Sequence, residues 1–117
     1  DPIKIDDFTK KNNESENSLA IKGRVKSARN VQVSRQGKCN SLLNSSELNK
    51  YCYLDEKSFN LIKRASEKQY FSARSFSRIQ KIARTIADLE DSKEIRFNHV
   101  AEALQYRSLD KMKFLQN

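Results

Sequence analysis

At 117 residues and 13.6 kDa the chain has room for one compact domain with one core, and not for a nucleotide-hydrolysing core with a second unit besides. Only 37% of its residues are hydrophobic, with Gly 2 and Pro 1, a balance that favours helices over a turn-rich β fold, so an all-α small helical bundle is expected. Basic residues outnumber acidic ones 23 to 15, for a net +8; residues 1–20 hold three Lys against five Asp or Glu, a balance of −2, so the other 97 carry +10. Such an excess suits a polyanionic partner, nucleic acid or nucleotide phosphate, and equally a merely soluble surface.

The chain opens with an apolar and acidic alternation, Ile3, Ile5 and Phe8, and runs into the aperiodic KKNNESENS. Residues 1–17 therefore read as an extended connecting arm and a mobile loop, and residues 18–117 as the helical domain. The start, DPIKIDDF without an initiator Met, reads as a cut from a larger polypeptide. From Ser18, an N-cap candidate, Leu19, Ile21, Val25, Ala28 and Val31 recur at helical spacing until Gly37, which suits a C-terminal cap. Gly23 inside that run implies either a close backbone approach or a later helix start.

Between Lys38 and Leu54 the pattern weakens, leaving Leu42, Leu43, Leu48 and Tyr51 as core plugs and Ser45 or Ser46 to cap a short helix over 47–50. Asp55 is a good N-cap, Leu54 can staple onto Phe59, and Phe59, Ile62, Ala65 and Ser66 carry a helix to Gln69 or Tyr70. Ser72 then opens the longest amphipathic run, in which Phe76, Ile79, Ile82, Ala83, Ile86 and Ala87 form a stripe opposite Arg74, Arg78, Lys81 and Thr85. The cap places Arg74 at the second helical position, where a cation opposes the helix dipole by about 0.3–1 kcal/mol. An anion such as phosphate would offset that cost. After the polar turn EDSKE, a last helix at 97–107 presents Val100, Ala103 and Leu104.

Several chemistries are excluded. With only Gly23 and Gly37 there is neither a GxxxxGK[ST] loop nor a GxGxxG turn, so the chain alone is not a P-loop ATPase. His99, the sole histidine, has no nucleophile beside it and reads as a helix-start or packing residue; Asp88, Glu90 and Asp91 read as a solvated turn rather than a metal site. Cys39 and Cys52 lack metal-ligand spacing, which suggests reduced thiols and a cytoplasmic protein, and no run is long enough to span a membrane. Two basic clusters remain. Lys22, Arg24, Lys26, Arg29, Arg35 and Lys38 form one, free of acids, and Lys63, Arg64, Lys68, Arg74, Arg78, Lys81 and Arg84 form the other. Each can track a phosphate backbone or simply be a solvated helix face.

SARSFSRIQKIARTIADL, followed by a polar turn and IRFNHVAEALQYR, closely resembles the C-terminal region of the magnesium-chelatase-like AAA+ ATPases. The family's RVxxARxxQxxRQG helix is matched at Arg24, Val25, Ala28, Arg29, Gln32, Arg35, Gln36 and Gly37, so the resemblance covers roughly residues 18–109. It implies an AAA+ lid-type domain in which Arg74 of the S-x-R motif is the sensor 2 arginine, with Ser72 and Arg78 beside the nucleotide. It further implies ATP with Mg held by the core of the same polypeptide, hexameric rings with neighbouring subunits, and, for members implicated in natural transformation, ATP-driven DNA branch migration. Phe97 departs from the family's frequent Pro at the start of the last helix. Two other readings stay open: a self-contained DNA-binding module working through Lys22, Arg24, Lys26, Arg29, Arg35 and Lys38, and a structural domain that holds ring subunits together.

Overall fold

A computed structural model describes the backbone of residues 2–116 and the side chains of residues 18–107. Its elements in order are α1 (Pro2–Gln36), a 3₁₀ turn (Asn40–Leu42), α2 (Ser45–Tyr51), α3 (Glu56–Gln69), α4 (Ala73–Leu89) and α5 (Phe97–Gln116), with no strand among the described residues. The all-α expectation is met. α4 is the hub: α1, the 3₁₀ turn, α2, α3 and α5 all pack on it.

α4 occupies that place because its stripe is continuous. Ile79, Ala83, Ile86 and Ala87 are buried against Val100 and Ala103 of α5, Ile62 of α3, and Leu43, Leu48 and Cys52. Each large aliphatic side chain so buried contributes about 1.5–3 kcal/mol relative to exposure. The small Ala83, Ala87 and Ala103 let the helices approach closely, and Phe76 and Ile82 complete the stripe as partly buried neighbours. The other face of α4 is polar, as its spacing requires.

The caps are local chemistry. Ser72 Oγ accepts from Ser75 N (3.3 Å), opening α4 at Ala73, and Asp55 Oδ1 accepts from Ser58 N (2.8 Å), opening α3. α3 closes at Tyr70, which takes a left-handed conformation (φ 53°). Gly37 does the same for α1 at φ 81°, where its N–H donates to the Val33 carbonyl and a side chain would be strained. α5 begins at Phe97 without the help of a proline; instead His99 Nδ1 accepts from Arg96 N at 2.9 Å.

Four expectations require correction. Asn44, not Ser45 or Ser46, caps α2: its Oδ1 accepts from Glu47 N (2.9 Å) while Glu47 Oε1 accepts from Asn44 N (3.0 Å), a reciprocal box that needs the acid three residues on. Leu42 points to solvent and only Leu43 is buried, since the 3₁₀ turn sends consecutive residues in different directions. Phe59 is 46% exposed and rests on Phe76, centroids 5.4 Å apart, at the edge of the core.

The fourth concerns α1, which runs unbroken through Ser18 and Gly23, so Ser18 is interior and not a cap. Nothing lies within 4 Å of a Cβ placed on Gly23, which removes the close-approach reading as well. Only the end of α1 meets the body, through Ala28 and Gln32, whereas Leu19, Ile21, Val25 and Val31 are exposed. α5 likewise continues past Arg107 to Gln116. The arm and loop expected over residues 1–17 concern side chains that lie outside the described residues.

Candidate functional site

The basic face of α4 is the first candidate. Arg74 stands at the second helical position, in a first turn that has no acidic residue. With Arg78, Lys81 and Thr85 it lines one wall of a groove of about 700 Å³, whose other wall is apolar: Ile82, Ile86, Leu89 and Tyr106. No carboxylate lines this groove. Among the described residues, neither Arg74 nor Arg78 joins any ion pair, while Lys81 Nζ reaches only the Ser41 carbonyl at 3.3 Å. Two free guanidiniums at the positive end of a helix make a site suited to an anion. The Ser72 hydroxyl is committed to the cap, accepting from Ser75 N and lying 3.4 Å from Ser75 Oγ, so it orients the first turn rather than presenting a free donor.

The basic cluster of α1 divides. Lys22, Arg24, Lys26 and Arg29 are exposed and remain available to a polyanion. Lys38 pairs instead with Glu47, Nζ to Oε1 2.7 Å, whose carboxyl is held below its ordinary range by the Asn44 backbone amide and then by Lys38. Arg35 is engaged more deeply. Its Nη1 and Nη2 grip both oxygens of Asp88, at 2.8 and 3.1 Å, and Nη2 also donates to Asn40 Oδ1 at 3.1 Å.

That grip belongs to a buried network that was not anticipated. Arg84 Nε donates to Asp88 Oδ1 (3.1 Å), and its remaining donors take the carbonyls of Lys93 (3.2 Å) and Ser92 (2.8 Å), fastening the turn after α4. Asn40 Nδ2 donates to Asp88 Oδ2 (3.0 Å) and Thr85 Oγ1 (3.1 Å), while its backbone N–H donates to Gln32 Oε1 (3.0 Å) and its Oδ1 accepts from Gln36 Nε2 (2.7 Å). The Asp88 side chain is 1% exposed. Burial alone would raise its pKa, but the hydrogen bonds from Arg35 and Asn40, with the charges of Arg84 and Arg35, outweigh that and hold the carboxyl below its ordinary value. Asp88 is thus no solvated turn residue: it locks the end of α1 to the end of α4.

The other reactive groups are structural. His99 is 1% exposed; because Nδ1 accepts from Arg96 N, the proton of the neutral ring belongs on Nε2, which donates to Glu90 Oε2 at 2.7 Å. Glu90 and His99 together tie the turn after α4 to the start of α5. Burial pushes the Cys52 thiol up to about 11, against the opposing charges of Arg84 and Arg35, so it is no nucleophile at neutral pH. Among the described residues no group of three His, Cys, Asp or Glu is placed to hold a metal, and no helix is long and apolar enough to cross a membrane.

Residues 15–107 match the family described as "Magnesium chelatase, subunit ChlI C-terminal". The chain belongs to this family. It is 39% identical over 94 residues to competence protein ComM of Haemophilus influenzae, covering 80% of this chain and 18% of that protein. It is 36% identical over 97 residues to the uncharacterized protein YifB of Escherichia coli, covering 83% of this chain and 19% of that protein, and a YifB of Salmonella typhimurium matches to the same extent. The chain therefore spans about a fifth of the length of the curated relatives it matches. Within the family's basic helix, Ala28, Gln32, Arg35, Gln36 and Gly37 serve the lock around Asn40 and Asp88, whereas Arg24 and Arg29 face solvent.

Proposed function

We propose that this chain is the helical lid of an AAA+ ATPase and that Arg74 donates to the terminal phosphate of ATP, held with Mg by a core elsewhere in the same polypeptide. The observation that carries this reading is the isolation of Arg74: capped into place by Ser72, set against the α4 dipole, and free of any ion pair among the described residues. The donor set fits a polyphosphate, since Arg78 follows one turn further along the same groove and no carboxylate intrudes. Bound ATP and Mg supply the phosphoryl group and its charge neutralisation; this chain's part is to orient that group and to meet its developing charge with a guanidinium. The helical body, locked at its far end by Asp88, holds α4 as one rigid lever on which Arg74 rides.

The whole protein is, in this reading, an ATP-driven motor acting on DNA in a ring of like subunits, in keeping with the competence name of its Haemophilus relative. Free thiols at Cys39 and Cys52 suit a cytoplasmic setting. The test is ATP turnover by the protein that contains both core and lid, wild type against Arg74→Ala, with and without branched DNA. Turnover should fall at least tenfold in the variant, about 1.4 kcal/mol of transition-state stabilisation, and unchanged turnover would remove the sensor role.

A second reading is favoured by the exposure of Lys22, Arg24, Lys26 and Arg29 on a helix that projects beyond the body. Here α1 is a DNA-binding surface in its own right, now without Arg35 and Lys38. It requires the chain alone to bind DNA with an affinity that falls steeply with salt, and no binding at low salt would sink it. As a ring-assembly domain, the chain would instead show mass rising with concentration in light scattering.

A further inference from the structure

Arg107 is used by nothing in the reading above, yet its surroundings are unusual. Its guanidinium carbon lies 4.4 Å from the centre of the Phe71 ring, and Phe71 immediately precedes Ser72, the cap of α4. Tyr106, beside it on α5, walls the same groove as Arg74. The end of α5 that carries Arg107 therefore lies against the first turn of α4.

Packing alone does not account for a guanidinium at this place. The aromatic face satisfies one side of the cation, but the Arg107 Nε–H is buried and meets no acceptor. A buried charged donor left unmade is costly, and this one sits near the positive end of α4, close to a second cation. None of the ion pairs among the described residues involves Arg74, Arg78 or Arg107. One ligand would relieve all of these costs together: a multiply charged oxyanion at the α4 N-terminus.

We propose that Arg107 is a second arginine of this phosphate site, held flat by Phe71 so that its unmade donors meet the oxygens of the phosphate that Arg74 addresses. The inference rests on the reading of Arg74 as a phosphate ligand and adds to it the residue that fixes the phosphate from the α5 side. Two guanidiniums on separate helices also make the site sensitive to the spacing of α4 and α5 in a way that one arginine is not. The ligand class is the polyphosphate end of a nucleotide.

The test follows the arginine Nε–H resonances of this chain by ¹⁵N NMR during titration with inorganic tripolyphosphate, which carries the phosphates without a base. The Arg74 and Arg107 signals should move together with a common midpoint, while those of Arg24 and Arg29 stay behind. Arg107→Lys, which keeps the charge and the stem, should raise the midpoint about tenfold, and Phe71→Leu, which removes only the aromatic support, about threefold. A stationary Arg107 signal while Arg74 saturates overturns this inference and leaves the Arg74 reading intact; both signals stationary overturns both. Movement of Arg24 and Arg29 with the same midpoint would mean diffuse charge attraction and would also overturn it. The wild-type titration decides the matter even if a variant fails to fold.

Discussion

The two ends of α4 treat arginine in opposite ways. At the C-terminal end, Arg84 is buried and, with Arg35, surrounds Asp88, every bond aimed at a carboxylate or a backbone carbonyl. There the helix dipole favours the cations, so geometry, charge and burial all agree. At the N-terminal end, Arg74 and Arg78 are exposed, unpaired among the described residues and opposed by the dipole. A cation that the fold satisfies has a structural purpose; one that the fold leaves unfavourable points to a ligand. Both kinds occur on a single helix, three turns apart, and basic composition alone does not separate them.

The comparison can be broken most forcefully at Asp88. Asp88→Ala leaves two guanidiniums facing each other without their shared carboxylate, and removing one member of a buried pair costs about 3–5 kcal/mol. Chemical denaturation should show that loss, and a cost under about 1 kcal/mol would mean that the lock contributes no more than a surface pair. The same residue sharpens the account by its pH dependence. Its folded pKa is depressed, so its stabilisation is complete above the ordinary carboxylate value of about 3.9 and is lost as pH falls through the lower folded value. Asp88→Asn should therefore flatten the acid limb of the stability curve without moving its alkaline side; an unaltered acid limb would contradict the assigned network.

A smaller effect of opposite sign is expected on α1. Gly23 is helical with open space around it, so Gly23→Ala should stabilise the helix by about 0.4–1 kcal/mol in thermal unfolding. Destabilisation there would reveal a neighbour that needs the missing side chain.

Much of the fold was legible because it depends on local chemistry. The caps at Asp55 and Ser72, the start at Phe97, the turn at Gly37 and the whole buried stripe of α4 follow from hydroxyls, carboxylates and a 3.6-residue period. The Asp88 lock was hidden because it joins residues 35, 40, 84 and 88, which share no period and meet only once α1 lies against α4. Asn44 offered a signal that was available: Glu47 three positions on marks the capping box and selects it over Ser45 and Ser46. The apolar residues of α1 misled for a different reason, since periodicity records which face is apolar but not whether a partner covers it. At the candidate site, Arg74 stood out from its position on the helix alone, whereas Arg107 became visible only through Phe71 and its unmade donor.

The central claim, that Arg74 is kept at structural cost for the sake of a phosphate, is tested most directly by one substitution read in two ways. Arg74→Ala should stabilise this chain by about 0.3–1 kcal/mol, because it removes a cation from the positive end of α4, and should lower ATP turnover at least tenfold in the protein that contains both core and lid. Loss of stability together with full turnover would contradict the account and make Arg74 an ordinary structural residue.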